Sequence, residues 1–301
     1  MRKALFVCVL VLFVCANAFA QDDSLATARQ MIDQANAQLA ASGSSVRIVK
    51  ASFFVKGHGV PEYRNLRTGS KWPYRTVSYI VDGSDLSVDV PAANSAAAIV
   101  SGYNSWNAIE NTNITAVQAP DDGSNFDVLD GTFHPVTGAC LSIFDLSSPN
   151  LDLSSGQIFP AADIVVGGWL KPQYFSSCLG SSSILGVTWT FADGDANSDQ
   201  YVDTLYVEQY YNEGFSWVTS GSQFLGTTED IESVVVHENG HALGLDHVGG
   251  PNANQPFKLH PNLRVFSPEA VMNPFYLGGD DKRSPLPTDV AGLRTLYSNS
   301  Q

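Results

Sequence analysis

Apolar and polar positions alternate along the chain with two periods. Residues 24–42 read S-L-A-T-A-R-Q-M-I-D-Q-A-N-A-Q-L-A-A-S and set Leu25, Ala28, Met31, Ile32 and Leu39 at near-helical steps, which predicts a helix. Gly43 and two serines end it. Residues 46–55, V-R-I-V-K-A-S-F-F-V, have the β-branched and aromatic content of a strand, and 56–61 form a turn-rich break. Further strands are expected at 76–81, 113–118, 161–168, 184–191 and 204–211. A helix should run from Pro91, whose fixed φ suits a first turn, to Ile109, with Ile99, Tyr103 and Trp106 inward. A second apolar run, Ile231 to Val236, follows capping candidates Thr227 and Thr228 and first-turn acids Glu229 and Asp230. Pro287, Thr288 and Asp289 open a last helix that turns Val290, Leu293, Leu296 and Tyr297 inward. The stretches 121–160 and 249–268 are polar or rich in Pro, Asn and Gly, and read as long surface excursions.

Composition sharpens this outline. At 301 residues and 44% hydrophobic, the chain can bury a core in one or two domains. Residues 1–20 read as a signal peptide: Arg2 and Lys3, an apolar run from Ala4 to Ala16, and a small-x-small cleavage site at Ala18-Phe19-Ala20. The expected product is secreted, extracellular or periplasmic. The apolar run is too short for stable membrane insertion, with a lipid anchor on Cys15 as the lesser alternative. Sixteen basic residues against thirty acidic give −14, and removing Arg2 and Lys3 leaves 14 − 30 = −16, which argues against nucleic-acid binding. Cys8 and Cys15 leave with the signal. Cys140 and Cys178, alone in an exported chain, are expected to form one disulfide.

The densest chemistry lies at 234–248, V-V-V-H-E-N-G-H-A-L-G-L-D-H-V. His237 and His241 are four apart, so on a helix their imidazoles share one face. Glu238 points off that stripe, where it can serve as a general base without ligating a metal. Gly244 suits the left-handed turn that ends a helix, and His247 follows three residues later as a third ligand. Two imidazoles, a third ligand and a vacant fourth position describe a catalytic zinc site. Asp246 is a competing third ligand, with the spacing favouring His247.

The spacing H-E-x-x-H-x-x-G-x-x-H resembles the metzincin clan of zinc endopeptidases. Met272, in A-V-M-N-P-F-Y at 270–276, resembles that clan's methionine turn. Within the clan the chain is most similar to the matrixins, through H-A-L-G-L-D-H at 241–247, V-M-N-P at 271–274, D-V-A-G-L-R-T-L-Y at 289–297 and the Lys71-Trp72 opening. Asn239 and Val248 depart from the matrixin pattern.

The resemblance implies an α/β (α+β) zincin-like domain over 71–301: a twisted mixed sheet, a backing helix, the active-site helix and a C-terminal helix. It implies a monomer that cuts protein or peptide substrates, with one catalytic zinc on His237, His241 and His247 and Glu238 as base and acid. Met272 would be an apolar floor, and Pro274, Phe275 and Tyr276 the wall of a specificity pocket. By the same resemblance 207–217 would form an edge strand and cleft rim. Residues 21–70 are a propeptide or a permanent extension, without the family's inhibitory cysteine. His58 there reads as a surface turn residue, with a zinc-blocking role as the alternative, and because His134 is the one histidine between residues 59 and 236, no histidine-rich structural zinc is expected.

The stretch 193–203, D-G-D-A-N-S-D-Q-Y-V-D, alternates oxygen side chains at Asp193, Asp195, Asn197 and Asp199. A solvated acidic turn is favoured over a calcium loop, because Ser198 and Thr204 replace the Gly and Glu that an EF-hand loop requires. Two other functions compete with the peptidase reading: a non-catalytic zinc-stabilised binding module, and a zinc hydrolase acting on a non-peptide amide.

Overall fold

The structure is a computed structural model that describes residues 26–56, 63–64, 69–121, 123, 151–152, 157–158, 162–223, 226–257, 260–279 and 281–298, with backbone alone at 63–64, 151–152, 157–158 and 250–267. The expected signal peptide, His58, His134 and Cys140 lie outside these residues.

The helices are α1 (Ala26–Ala41), α2 (Ala92–Asn107), α3 (Ile231–Ala242) and α4 (Pro287–Tyr297). The long strands are β1 (Arg47–Lys56), β4 (Thr76–Val81), β5 (Thr115–Gln118), β8 (Ile164–Leu170), β9 (Ile184–Ala192) and β10 (Val202–Asn212). Short strands are β2 (Tyr63–Arg64), β3 (Ser70–Lys71), β6 (Leu151–Asp152), β7 (Gln157–Ile158), β11 (Ser216–Val218), β12 (Thr228–Asp230) and β15 (Phe275–Tyr276). β13 (Gly250–Phe257) and β14 (His260–Ser267) form an antiparallel hairpin where the sequence suggested an irregular excursion.

The main sheet is mixed, in the order β15-β1-β9-β10-β8-β4-β5. β5, β4, β8 and β10 run parallel, β9 and β1 each reverse on their neighbour, and β15 lies parallel to β1. The fold is therefore mixed α/β, as expected. β9 is buried along its whole length because helices cover both sheet faces. One expectation fails: β10 sits inside the sheet between β9 and β8, and so has no free edge. The alternation in 204–211 could not reveal this, since a strand buried on both faces and an edge strand share the same local preference.

Two cores flank the sheet. On one face Met31, Ile32 and Leu39 of α1 pack with Phe53, Trp189, Phe191 and Tyr210, beside the π-helical turn Tyr174–Cys178. Cys178 is fully buried and disulfide-bonded. On the other face α2, α3 and α4 surround Tyr103, Trp106, Val235, Met272 and Leu293.

Two tryptophans anchor α3. The Trp106 indole donates to Val236 O at 2.8 Å, and the Trp72 indole donates to Ala242 O at 2.8 Å, satisfying a carbonyl the helix end leaves open. Asp230 caps α3 by accepting from Ser233 N at 3.0 Å, in place of the expected threonines, and Arg283 Nε holds its carboxylate at 2.9 Å. Thr228 lies two residues before the cap position, and its hydroxyl accepts from Gln223 N at 3.4 Å.

Asp289 ties α4 to the turn carrying Met272. Its buried carboxylate accepts from Val271 N at 2.8 Å, Leu286 N at 2.8 Å and Met272 N at 3.1 Å. Removing it strands three amides, so Asp289→Ala should cost about 2–4 kcal/mol of stability. Urea unfolding checks this; a loss under about 0.5 kcal/mol would show that solvent replaces the carboxylate without penalty.

Candidate metal centre

Helix α3 carries His237 and His241 one turn apart, both buried. The helix then ends in a Schellman turn: Leu245 N donates to Gly240 O and Gly244 N to His241 O, each at 2.9 Å, with Gly244 at φ +94°. This reversal returns His247 to the helix face. The three Nε2 atoms form a triangle with sides of 3.0, 3.0 and 3.1 Å. Among the described residues, these histidines are the group placed to hold a metal ion.

The proton count makes the triangle informative. His237 Nδ1 lies 2.7 Å from Val271 O and His241 Nδ1 2.8 Å from Leu245 O. A carbonyl can only accept, so both rings carry their hydrogen on Nδ1 and turn a bare lone pair to Nε2. Two such lone pairs 3.0 Å apart repel unless a cation lies between them. Ligands about 2.0–2.1 Å from a tetrahedral zinc would stand about 3.3–3.4 Å apart, close to the observed triangle. The donor set thus fits a small divalent ion. Burial also pushes the His237 pKa down to about 3 and that of His241 well below the ordinary value, keeping both rings neutral as ligands must be.

Asp246, the competing ligand, pairs instead with the Lys50 ammonium at 3.0 Å. Met272 is fully buried against α3: a Cβ on Gly240 would stand 2.3 Å from its sulfur and 2.8 Å from Trp106 Cζ2. Glycine at 240 is what lets the methionine in. Asn239, the departure from the matrixin pattern, is buried between α2 and β10, where its amide pairs with Gln209, Val235 O and Tyr103 N.

Glu238 is wholly buried. Thr188 Oγ1 on β9 donates to its Oε2 at 2.6 Å, while Oε1 has no hydrogen-bond partner. Burial raises its pKa to about 8, against the lowering pull of Thr188, Lys50 and the Phe54 amide. Thr188 escaped the sequence reading because it lies in an apolar strand with no motif around it. Phe54, whose ring stacks on His237 with centroids 3.7 Å apart and planes at 13°, escaped for the same reason.

Of the residues expected to form a pocket wall, Phe275 and Tyr276 make up β15, which pairs with β1. Tyr276 OH donates to Asp281 at 2.8 Å. The acidic stretch 193–203 lies apart from this centre, as the turn between β9 and β10. Its oxygens are taken by protein donors: Asp195 and Asn197 accept from Asp199 N, Asp199 accepts from Tyr201 N, Asp193 accepts from Ser45 Oγ, and Lys71 pairs with Asp199. No family model matches the chain, and no curated protein matches it.

Two outcomes follow. The metal-free chain should take up a single equivalent of zinc in calorimetric titration, and His237→Ala or His241→Ala should weaken it about 100-fold or more. Uptake by the variants equal to wild type would dissolve the site. The second concerns pH in the metal-free chain. Glu238 titrates near pH 8 when folded and near 4.5 when unfolded, so its contribution is full below pH 4.5 and lost as pH rises through 8. Glu238→Gln should therefore gain on wild type between pH 4.5 and 9 by about 1–3 kcal/mol, read from urea midpoints. A pH-independent difference would mean the carboxyl is hydrated.

Proposed function

We propose that the chain is a zinc-dependent endopeptidase of the metzincin clan, similar to the matrixins, and that its three-histidine centre is catalytic. The observation that carries this reading is a buried carboxylate, Glu238, one residue from a ligand histidine and with one oxygen unpartnered. A metal site needed only for stability has no use for that group, since an unpaired buried carboxylate costs free energy. The Met272 turn and the wall at 274–276 favour a peptide over another amide.

His237, His241 and His247 would hold the zinc ion, which when bound would supply Lewis acidity. The chain's own groups do the rest. Glu238 takes the proton of the attacking water through Oε1 and later gives it to the departing amine, so the carboxylate ends as it began. Thr188 holds Oε2 and leaves Oε1, which packs beside Gly186, as the oxygen without a hydrogen bond. The carbonyls of Val271 and Leu245 fix the two helix imidazoles in the ligating tautomer. The signal at 1–20 supports an exported enzyme.

The rival reading is a metal-stabilised module without turnover. Digestion of casein or a fluorogenic peptide, with and without chelator, separates the two. Glu238→Gln should retain zinc while turnover falls by about 10²–10⁴. Full activity in that variant would remove Glu238 from the mechanism, and chelator-insensitive digestion would remove the metal.

A further inference from the structure

Behind Glu238 a chain of polar side chains crosses the core from β9 to α2. Thr188, Gln209, Tyr103 and Asn239 are all wholly buried, as is Glu238 itself. β10 sets Gln209 opposite Thr188 of β9, so the two side chains share one face of the sheet. Gln209 Nε2 donates to Thr188 Oγ1 at 3.5 Å, and Thr188 gives its own hydrogen to Glu238 Oε2 at 2.6 Å. At its other end Gln209 Oε1 accepts from Tyr103 OH at 2.8 Å and from the Asn239 amide at 3.2 Å. Asn239 also donates to Val235 O at 3.3 Å and accepts from Tyr103 N at 3.1 Å. A Cβ on Gly102 would stand 2.9 Å from that amide, so glycine there lets α2 close on Asn239.

The hydrogens along this chain have one arrangement. Thr188 carries a single hydroxyl hydrogen, and an ionised Glu238 can only accept it. The end of Gln209 that faces Thr188 must then be the donating one, which turns its carbonyl toward Tyr103 and Asn239. Those two supply hydrogens to it and take none. Every donor thus points toward the carboxylate. A buried amide left without partners is costly, so each link holds the next in place. Oε2 remains an acceptor whether or not Oε1 carries a proton, so the chain need not rearrange when one arrives. Donors fixed in advance in this way are what a reacting carboxylate gains most from.

We propose that Gln209 and Asn239 are positioning residues for Glu238, acting through Thr188: they keep the Thr188 hydrogen on Oε2 and so leave Oε1 as the oxygen that takes the proton. Asn239, the departure from the matrixin pattern, is thereby a link that fixes Gln209. The catalytic part of this proposal rests on the peptidase reading above.

The test uses the zinc-loaded full chain, comparing wild type with Gln209→Met, Thr188→Val, Thr188→Ser and the Gln209→Met/Thr188→Val double variant. Two readouts are taken: kcat and KM on a fluorogenic peptide, and solvent exchange of the Thr188 hydroxyl hydrogen by NMR, which needs no turnover. Gln209→Met and Thr188→Val should each lower kcat at least about 10-fold, a part of the roughly 10²–10⁴ that a general base contributes. KM should stay within about twofold and zinc affinity should hold, because the lost interaction matters in the transition state. The double variant should fall no further than Thr188→Val alone, since both break one chain. Thr188→Ser, which keeps the hydroxyl, should recover most of what Thr188→Val loses. The Thr188 hydroxyl hydrogen should exchange at least about 10-fold faster in Gln209→Met than in wild type. Should Gln209→Met fail to fold, Asn239→Leu removes one of the two donors to Gln209 and carries the same comparisons. In a chain that cuts peptide, a folded Gln209→Met with wild-type kcat overturns the proposal, as do losses that multiply in the double variant. Wild-type hydroxyl exchange in Gln209→Met also overturns it, and so does a fall in kcat matched by loss of zinc, which would mark a structural role. Faster exchange in Gln209→Met without cutting by any form supports the hydrogen-bond chain and counts against the peptidase reading instead.

Discussion

Two buried imidazoles that give their only hydrogens to backbone carbonyls set the terms for everything around them. Once Val271 O and Leu245 O hold the Nδ1 hydrogens, the Nε2 lone pairs converge with no proton to share, and a cation is what relieves them. Those carbonyls must therefore be positioned as carefully as the histidines. Leu245 O is set by the turn that ends α3, and Val271 O by a segment whose amides bind the Asp289 carboxylate of α4. The C-terminal helix, remote in sequence, is thus a support of the ligand set.

The sheet contributes differently. β9 places Thr188 under Glu238 from the strand next to β1. Such a carboxyl, dry and raised to about 8 without metal, is stabilised in its charged form once a divalent ion arrives.

β1 serves both faces of the sheet. One of its faces completes the core with α1, while Phe54 and Lys50 on the other close over the metal centre. Whatever stabilises this strand in the sheet also holds Phe54 over His237.

Much was legible beforehand because it depends on local periodicity. The four-residue step of His237 and His241 and the positive φ of Gly244 follow from helix geometry and backbone sterics that act within a few residues, while Met272 is picked out by its resemblance to a methionine turn. The helices at 92–107 and 287–297 and the strand at 76–81 follow likewise from alternation. What only the tertiary structure decided are long-range pairings: β10 inside the sheet rather than at its edge, Asp230 as the cap because Arg283 binds it, Thr188 and Phe54 at the site, and β1 between β9 and β15. An apolar strand carries the same pattern wherever it is inserted, so its neighbours are settled by packing among distant segments, and its local pattern does not name them.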